Sequence, residues 1–316
     1  MLFGTYQFLC RLETDAYLPL YKGSTLRGVF GHGLKRVVCA LRRQECATCL
    51  LKHQCLYAEV FETRHALDIP ENLNNSAPPH PYVLEPPLER TGHLSEGESF
   101  TCTLRLFGPI NEKLPYFVYA FDQMGKIGIG KKINGRRAGF VLEQVCTDSK
   151  VLYHNKDGTL QSANAAQRLC AQQLVRDVEA ANGAVSKLTV HLETPLRVKF
   201  ENRLHARLPF HVLVRAMLRR ISSLYNTYTQ GEPALDYKGL VAKAEAVDTV
   251  ENDLRWFDWR RYSNRQEQKM YMGGMVGSVT YKGAIGPYLP LIRMCEKVHV
   301  GKGTSFGLGK IKGLKI

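Results

Sequence analysis

The chain has 316 residues, with 43 Lys and Arg against 29 Asp and Glu and a formal net charge of +14. That balance favours a polyanionic partner, nucleic acid or an acidic membrane surface, and says nothing about fold. No apolar run is long enough to span a bilayer, and Met1 to Cys10 lacks a basic leader and a cleavage site, so a cytoplasmic protein of two domains is the default expectation.

The first half opens on a strand-like run, Phe3 to Leu12. The spacing then predicts a helix from about Thr25 to Leu41, with Leu26, Val29, Phe30, Leu34, Val37, Val38 and Leu41 at three- and four-residue intervals. A cysteine-rich stretch follows. Asn72 to Pro87 is proline-rich and reads as a loop. Ser99 to Phe107 alternates Phe100, Cys102, Leu104 and Leu106 on one face, which is strand periodicity. Leu114 to Met124 reads as a second helix, and Gly125 to Val145 as a glycine-rich basic loop feeding a strand.

The second half repeats the order. Leu188 to Lys199 reads as a strand and Phe210 to Tyr228 as a helix, with Pro209 suited to its first turn and Gly231 past its end. Lys269 to Tyr281 reads as a strand or hairpin, and Tyr288 to Val300 as a short helix. Both halves follow strand, helix, strands, helix, glycine loop, strand, which is the split βαβ plan. The expected fold is α+β: tandem ferredoxin-like (RRM-like, βαββαβ) domains. Residues 1–150 form the first, with a cysteine-rich insertion at 39–55. Residues 151–186 form a linker, helical over Ala163 to Ala181. Residues 187–316 form the second domain, with a glycine-rich loop.

That loop is GKGTSFGLGKIKGLKI. Gly301, Gly303, Gly307 and Gly309 let the backbone approach another molecule closely. Lys302, Lys310, Lys312 and Lys315 sit among them, and uncovered N–H groups beside ammonium groups suit phosphate oxygens. The plainer reading is a solvated tail. Phe306, Leu308 and Ile311 argue against it as inward anchors of a final strand.

LRGVFGHGLKRVVC (Leu26 to Cys39), the cysteines after it, WFDWRRYSNRQ (Trp256 to Gln266), GGMVGSVTYKG (Gly273 to Gly283) and HVGKGTSFGLGK (His299 to Lys310) occur in that order. Together they resemble the CRISPR-associated repeat-RNA processing endoribonucleases of the RAMP superfamily. The resemblance implies two ferredoxin-like domains and metal-independent cleavage of CRISPR repeat RNA. The repeat's 2′-hydroxyl would attack the adjacent phosphate, leaving 2′,3′-cyclic phosphate and 5′-hydroxyl ends. It also implies a catalytic histidine on or near the first helix, though the catalytic residue varies among members.

That chemistry needs a base, an acid and cations around a crowded phosphate. His32 is the candidate. On a helical wheel it lies opposite the apolar face, with Lys35 and Arg36 on its own side. Two neighbouring cations are expected to keep it neutral and basic. Gly31 and Gly33 are expected to leave room for a substrate, because glycines inside a helix cost about 1 kcal/mol each and need a compensating reason. The plainer reading is an ordinary exposed histidine. Tyr262 is the reserve, followed by His205 and His299; His80, His93 and His154 read as surface residues.

In WRRYSNRQ, Arg260, Arg261 and Arg265 suit forked phosphate contacts, Trp259 and Tyr262 suit base stacking, and Ser263 and Gln266 add hydrogen-bonding groups. The alternative is an aromatic core strand edged by solvated arginines, to which Trp256 and Phe257 belong. Lys126, Lys131, Lys132, Arg136 and Arg137 form a further basic loop, read either as RNA backbone contact or as a solvated charge run. Arg27, Lys302, Ser305 and Lys310 complete the RNA-binding candidates.

Cys39, Cys46, Cys49 and Cys55 cluster, and the Cys46-x-x-Cys49 spacing is that of a metal knuckle. A structural zinc is the simplest occupant, with an iron–sulfur cluster second; the alternative is four reduced thiols. The expected partners are CRISPR repeat RNA and subunits of an effector complex, with neither DNA nor membrane. A non-catalytic RAMP subunit holding guide RNA is the competing reading, and a zinc-dependent hydrolase the third.

Overall fold

The computed structural model describes residues 1–41, 44–67, 77–148, 150–161, 166–181, 185–200, 203–263 and 268–315, without the side chains of 260–263, 268–271 and 315. The chain divides into two compact units, Leu2–Arg168 and Leu169–Ile316 with Met1.

In the first unit, β1 (Leu2–Leu12) buries Tyr6, Phe8, Cys10 and Leu12, one residue in two, as a strand with one covered face must. After the short β2 (Ala16–Tyr17), helix α1 (Gly23–Val38) lays Leu26, Val29, Phe30 and Leu34 into the core. The helix stops at Val38, where Cys39 turns extended (ψ 110°), and Leu41 is 40% exposed. Leu41 continues the apolar repeat, but periodicity records residue type and cannot show whether a surface exists to receive it.

Two short helices, α2 (Leu56–Phe61) and α3 (Thr63–Ala66), lead to β3 (Tyr82–Glu85). This strand lies inside the expected 72–87 loop. Its four residues are all buried and pair with β5 (Ser99–Phe107). The prolines flank it at 81 and 86 and remove no N–H from the ladder. Then follow β4 (His93–Leu94), α4 (Leu114–Ile127), β6 (Ile129–Ile133), β7 (Arg136–Ala138) and β8 (Phe140–Cys146).

The sheet runs β3-β5-β1-β8, the antiparallel order of a ferredoxin-like βαββαβ unit, extended by β9 (Val151–His154) beside β8. A further strand, β10 (Gln167–Arg168), pairs with the start of β1. Phe8 stacks on Phe121 of α4 with ring centres 4.0 Å apart, and Phe30 touches Phe61, Tyr82, Phe117 and Phe121. The stretch 151–186 is thus no free linker. Its strands complete the first sheet, and its helix α5 (Ala171–Ala180), shorter than expected, buries Leu174 and Val178 in the second unit.

The second unit holds β11 (Lys187–Leu196), α6 (Phe210–Tyr228), α7 (Tyr237–Ala244), β12 (Asp248–Asn252), β13 (Arg255–Ser263), β14 (Gln268–Lys282), α8 (Leu289–Val298) and β15 (Ile311–Lys315). Its sheet order is β12-β14-β11-β15, the same plan, with β13 also paired to the long β14. Arg220 of α6 is buried and donates from Nε and Nη2 to the Val298 carbonyl at 3.1 and 3.0 Å, so it caps the end of α8. Burial lowers its pKa to about 10, which leaves it charged at neutral pH.

Candidate nucleic-acid interface

His32 is exposed on α1. Its flanking glycines serve packing and not substrate approach. A β-carbon on Gly33 would meet the Ala120 carbonyl oxygen of α4, and one on Gly31 would meet the Phe61 ring at 3.0 Å. Gly28, one turn before His32, faces open space. Arg36, one turn after, is exposed. Lys35 departs from the expected arrangement: it is half-buried, with Nζ 5.4 Å from the Tyr57 ring centre. Arg27 likewise lies over Phe61 at 5.1 Å. Both long stems find aromatic surface, which a wheel built on residue type cannot foresee. Lys126 closes α4 on a 2.7 Å bond to Asp122, which holds its pKa above the ordinary lysine range while Arg36 opposes the shift.

The basic loop of the first unit is a hairpin. Asn134 (φ +50°) and Gly135 (φ +79°) form the two-residue turn between β6 and β7, the pairing that favours Asn-Gly. Lys131, Lys132, Arg136 and Arg137 are all exposed on its arms, and among the described residues no acid pairs with any of them. Strand β6 also contacts α1, so this four-cation hairpin neighbours the helix bearing His32.

In the second unit the glycine-rich segment is a tight turn. Gly301, Gly303, Gly307 and Gly309 all have positive φ, and at Gly309 (φ +75°) a β-carbon would collide with the Val300 carbonyl oxygen. Thr194 at the end of β11 donates to the Gly307 carbonyl at 2.8 Å and accepts the Lys310 N–H at 2.9 Å. Lys302 is exposed. Lys310 pairs with Glu193 at 3.3 Å, half-buried. Ser305 is 4% exposed, so its hydroxyl belongs to the turn's interior and not to a binding surface. His299 is fully buried with Nδ1 3.0 Å from the Leu308 carbonyl, a structural place that removes it from the proton-transfer candidates. Among the described residues the Arg197 Nε is buried without a hydrogen-bond partner, beside the turn whose Lys302 N–H its carbonyl accepts at 3.0 Å.

WFDWRRYS forms β13, paired residue by residue with β14 from Arg255↔Val276 to Ser263↔Gln268. The roles of its aromatics are exchanged relative to expectation. Trp259, assigned to base stacking, is 8% exposed and belongs to the core, whereas Trp256 and Phe257 are only half-buried and Trp256 donates to Asp258 at 2.7 Å. Strand alternation decides which face each ring takes, and the register was not legible from the aromatics alone. The backbones of Arg260, Arg261, Tyr262 and Ser263 continue the strand; Arg265 and Gln266 lie outside the described residues.

Sequence reasoning missed one group. After β11 a cavity of about 500 Å³ is lined by Phe200, Arg203, His205 and Arg207. The R-x-H-x-R alternation was its sequence mark, since residues two apart in an extended chain face one side. Of the remaining histidines, His93 lies on the surface beside Asp15, and His80 is half-buried with Nδ1 3.0 Å from the Thr63 hydroxyl.

Cys39, Cys46, Cys49 and Cys55 are free and half-buried. Cys46 and Cys49 bracket a single 3₁₀ turn, and burial raises the Cys46 pKa, with Lys35 opposing. Among the described residues no three His, Cys, Asp or Glu side chains are arranged to hold a metal ion. The four thiols therefore do not fit the expected zinc or iron–sulfur site as placed. The spacing supplies ligand types, but ligation needs four sulfurs converging on one point.

No helix among the described residues is long and apolar enough to cross a membrane. Residues 1–165 match the AF_1859_N model, an N-terminal domain, and residues 190–311 match the model of CRISPR-associated endoribonuclease Cas6. The chain is 25% identical over 308 residues to an uncharacterized protein of Archaeoglobus fulgidus, covering 95% of this chain and 96% of that one. Among solved structures it is similar to Thermus thermophilus Cas6, with a TM-score of 0.55 and 15% identity over 99% of this chain and 98% of that chain. A Cas6 product complex gives a TM-score of 0.55 at 16% identity, covering 98% of this chain and 100% of that chain. The chain belongs to the CRISPR-associated RAMP-fold proteins of the repeat-RNA processing type, with an AF_1859_N domain over its first 165 residues and a Cas6 match over residues 190–311.

Proposed function

We propose that the protein is a metal-independent endoribonuclease that cuts CRISPR repeat RNA into guide RNA. The observation that carries this reading is His32, exposed on α1 with Arg36 one turn later, in a chain with a Cas6 match. RNA brings its own nucleophile, so the reaction needs no metal-bound water. The 2′-oxygen bonds to phosphorus as the bond from phosphorus to the 5′-oxygen breaks, leaving 2′,3′-cyclic phosphate and 5′-hydroxyl ends. His32 takes the proton from the 2′-hydroxyl, a step imidazole suits because its reference pKa of about 6.5 is near neutrality. Arg36 stabilises the charge gathering on the phosphate. A second group protonates the departing 5′-oxygen, and Tyr262 is the candidate held in reserve for it. Lys131, Lys132, Arg136 and Arg137 hold the RNA backbone, with Lys302 on the second unit.

The test is single-turnover cleavage of the cognate repeat RNA in EDTA, with the product ends identified. The expected result is cleavage with a cyclic phosphate on the upstream product. Loss of cleavage in EDTA overturns metal independence. A chain that binds the repeat tightly and never cuts is an RNA-holding subunit of an effector complex, and the nuclease reading then fails.

A further inference from the structure

The chain leaves β11 through a tight two-residue turn. Phe200 and Arg203 exchange both backbone hydrogen bonds, N–H to carbonyl at 3.0 and 2.9 Å, which sets the Arg203 side chain beside the Phe200 ring. The ring is flanked by His211 of α6, 6.1 Å away and inclined at 70°, which fixes its plane. Arg203, His205 and Arg207 then alternate along an extended segment, and all three line the same cavity as Phe200.

Its volume of about 500 Å³ falls in the range of roughly 300–1,000 Å³ that ligand pockets occupy. Two guanidinium groups share this concavity, both on exposed residues, and among the described residues no acid pairs with either. Like charges facing one hollow repel unless an anion sits between them, and the guanidinium fork matches phosphate oxygens. An aromatic face beside paired arginines adds a stacking surface, the combination that single-stranded nucleic acid uses. The segment is anchored at its root, because Arg197 holds the Lys302 N–H of the glycine-rich turn at 3.0 Å.

We infer that this cavity seats one unpaired nucleotide of the bound RNA, with its phosphate on Arg203 and Arg207 and its base on Phe200. The inference rests on the RNA-processing reading above and adds to it a holding site on the second unit.

The experiment uses the full chain and fluorescently labelled repeat RNA. Affinity is measured over a range of salt for wild type, the double variant Arg203→Ala/Arg207→Ala, Phe200→Ala and, as a control on the exposed face of α6, Arg219→Ala. Wild-type cleavage of the same RNA is followed in parallel, and thermal unfolding checks each variant's fold. The double variant is expected to bind at least tenfold more weakly, since a charged hydrogen bond contributes about 1.5–3 kcal/mol. Its salt dependence is expected to be shallower by about 0.7 for the one phosphate released. Phe200→Ala is expected to weaken binding severalfold, and Arg219→Ala to bind as wild type does. A folded double variant with wild-type affinity and salt slope overturns the site while wild-type cleavage leaves the nuclease reading standing. If Phe200→Ala alone binds normally, the cavity is a bare phosphate contact and the nucleotide assignment is wrong. A wild-type chain that neither binds nor cuts the repeat removes the nuclease reading, and this inference falls with it.

Discussion

A β-carbon placed on Gly33 of α1 would stand 2.6 Å from the carbonyl oxygen of Ala120 on α4. The two helices therefore cross at a point where only glycine fits, and His32 is presented beside that crossing. Gly33→Ala is expected to cost about 1–3 kcal/mol of stability, because neither backbone can give way cheaply. Gly28→Ala, with nothing within 4 Å, is expected to stabilise by up to about 1 kcal/mol through helix propensity. Urea unfolding of the two variants checks the pair; a Gly33→Ala chain as stable as wild type would refute the packing account.

His32→Ala is expected to cut repeat RNA at least a hundredfold more slowly, the usual scale for loss of a general base, with binding unchanged. Single-turnover rates and affinity measured on one preparation decide it. A fast-cutting His32→Ala chain moves the proton-transfer role to Tyr262.

Arg220 gives both of its described bonds to the Val298 carbonyl, the residue before His299 and the glycine-rich turn. Arg220→Ala leaves that carbonyl orphaned in a cavity and is expected to cost about 3 kcal/mol. Arg220→Lys should recover part of it. Calorimetry reads the stability, and the loss of RNA affinity should follow the loss of folded protein if the residue acts only through α8.

Glu59 of α2 is half-buried, and burial raises its pKa above the ordinary 4.5 while Lys113 opposes the shift. A raised folded-state pKa means a contribution to stability that is complete below the unfolded value and lost as pH rises through the folded one. At pH 7 the ionised carboxylate is therefore a burden. Glu59→Gln is expected to raise the Tm at pH 7, and its advantage should vanish as pH falls to 4.5 and below. A gain that does not shrink with acid would contradict the burial argument.

Both ferredoxin-like units could be read from the chain before any coordinates, because strand alternation and helical apolar repeats are local properties. α6 was read from Phe210 to Tyr228 and runs over those residues; β1 needed a change of one residue. β3 was hidden because its flanking prolines dominate the composition, while its evidence is a partner strand twenty residues away. Trp259 and Trp256 exchanged places because register depends on β14. Lys35 left the His32 face for Tyr57, and Ser305 turned inward, since side chains settle on whatever surface the fold supplies.

Residue type, order and charge thus determined the architecture, the basic character and the residues able to do the chemistry. Only the tertiary structure decided which of them stand free. The exposed Lys131–Lys132 and Arg136–Arg137 arms, the packed glycines beside His32, the buried His299 and the Arg203–Arg207 cavity all depend on contacts between segments far apart in the chain. Such contacts leave no periodicity behind, because a side chain's environment is set by its neighbours in space and not by its neighbours in sequence.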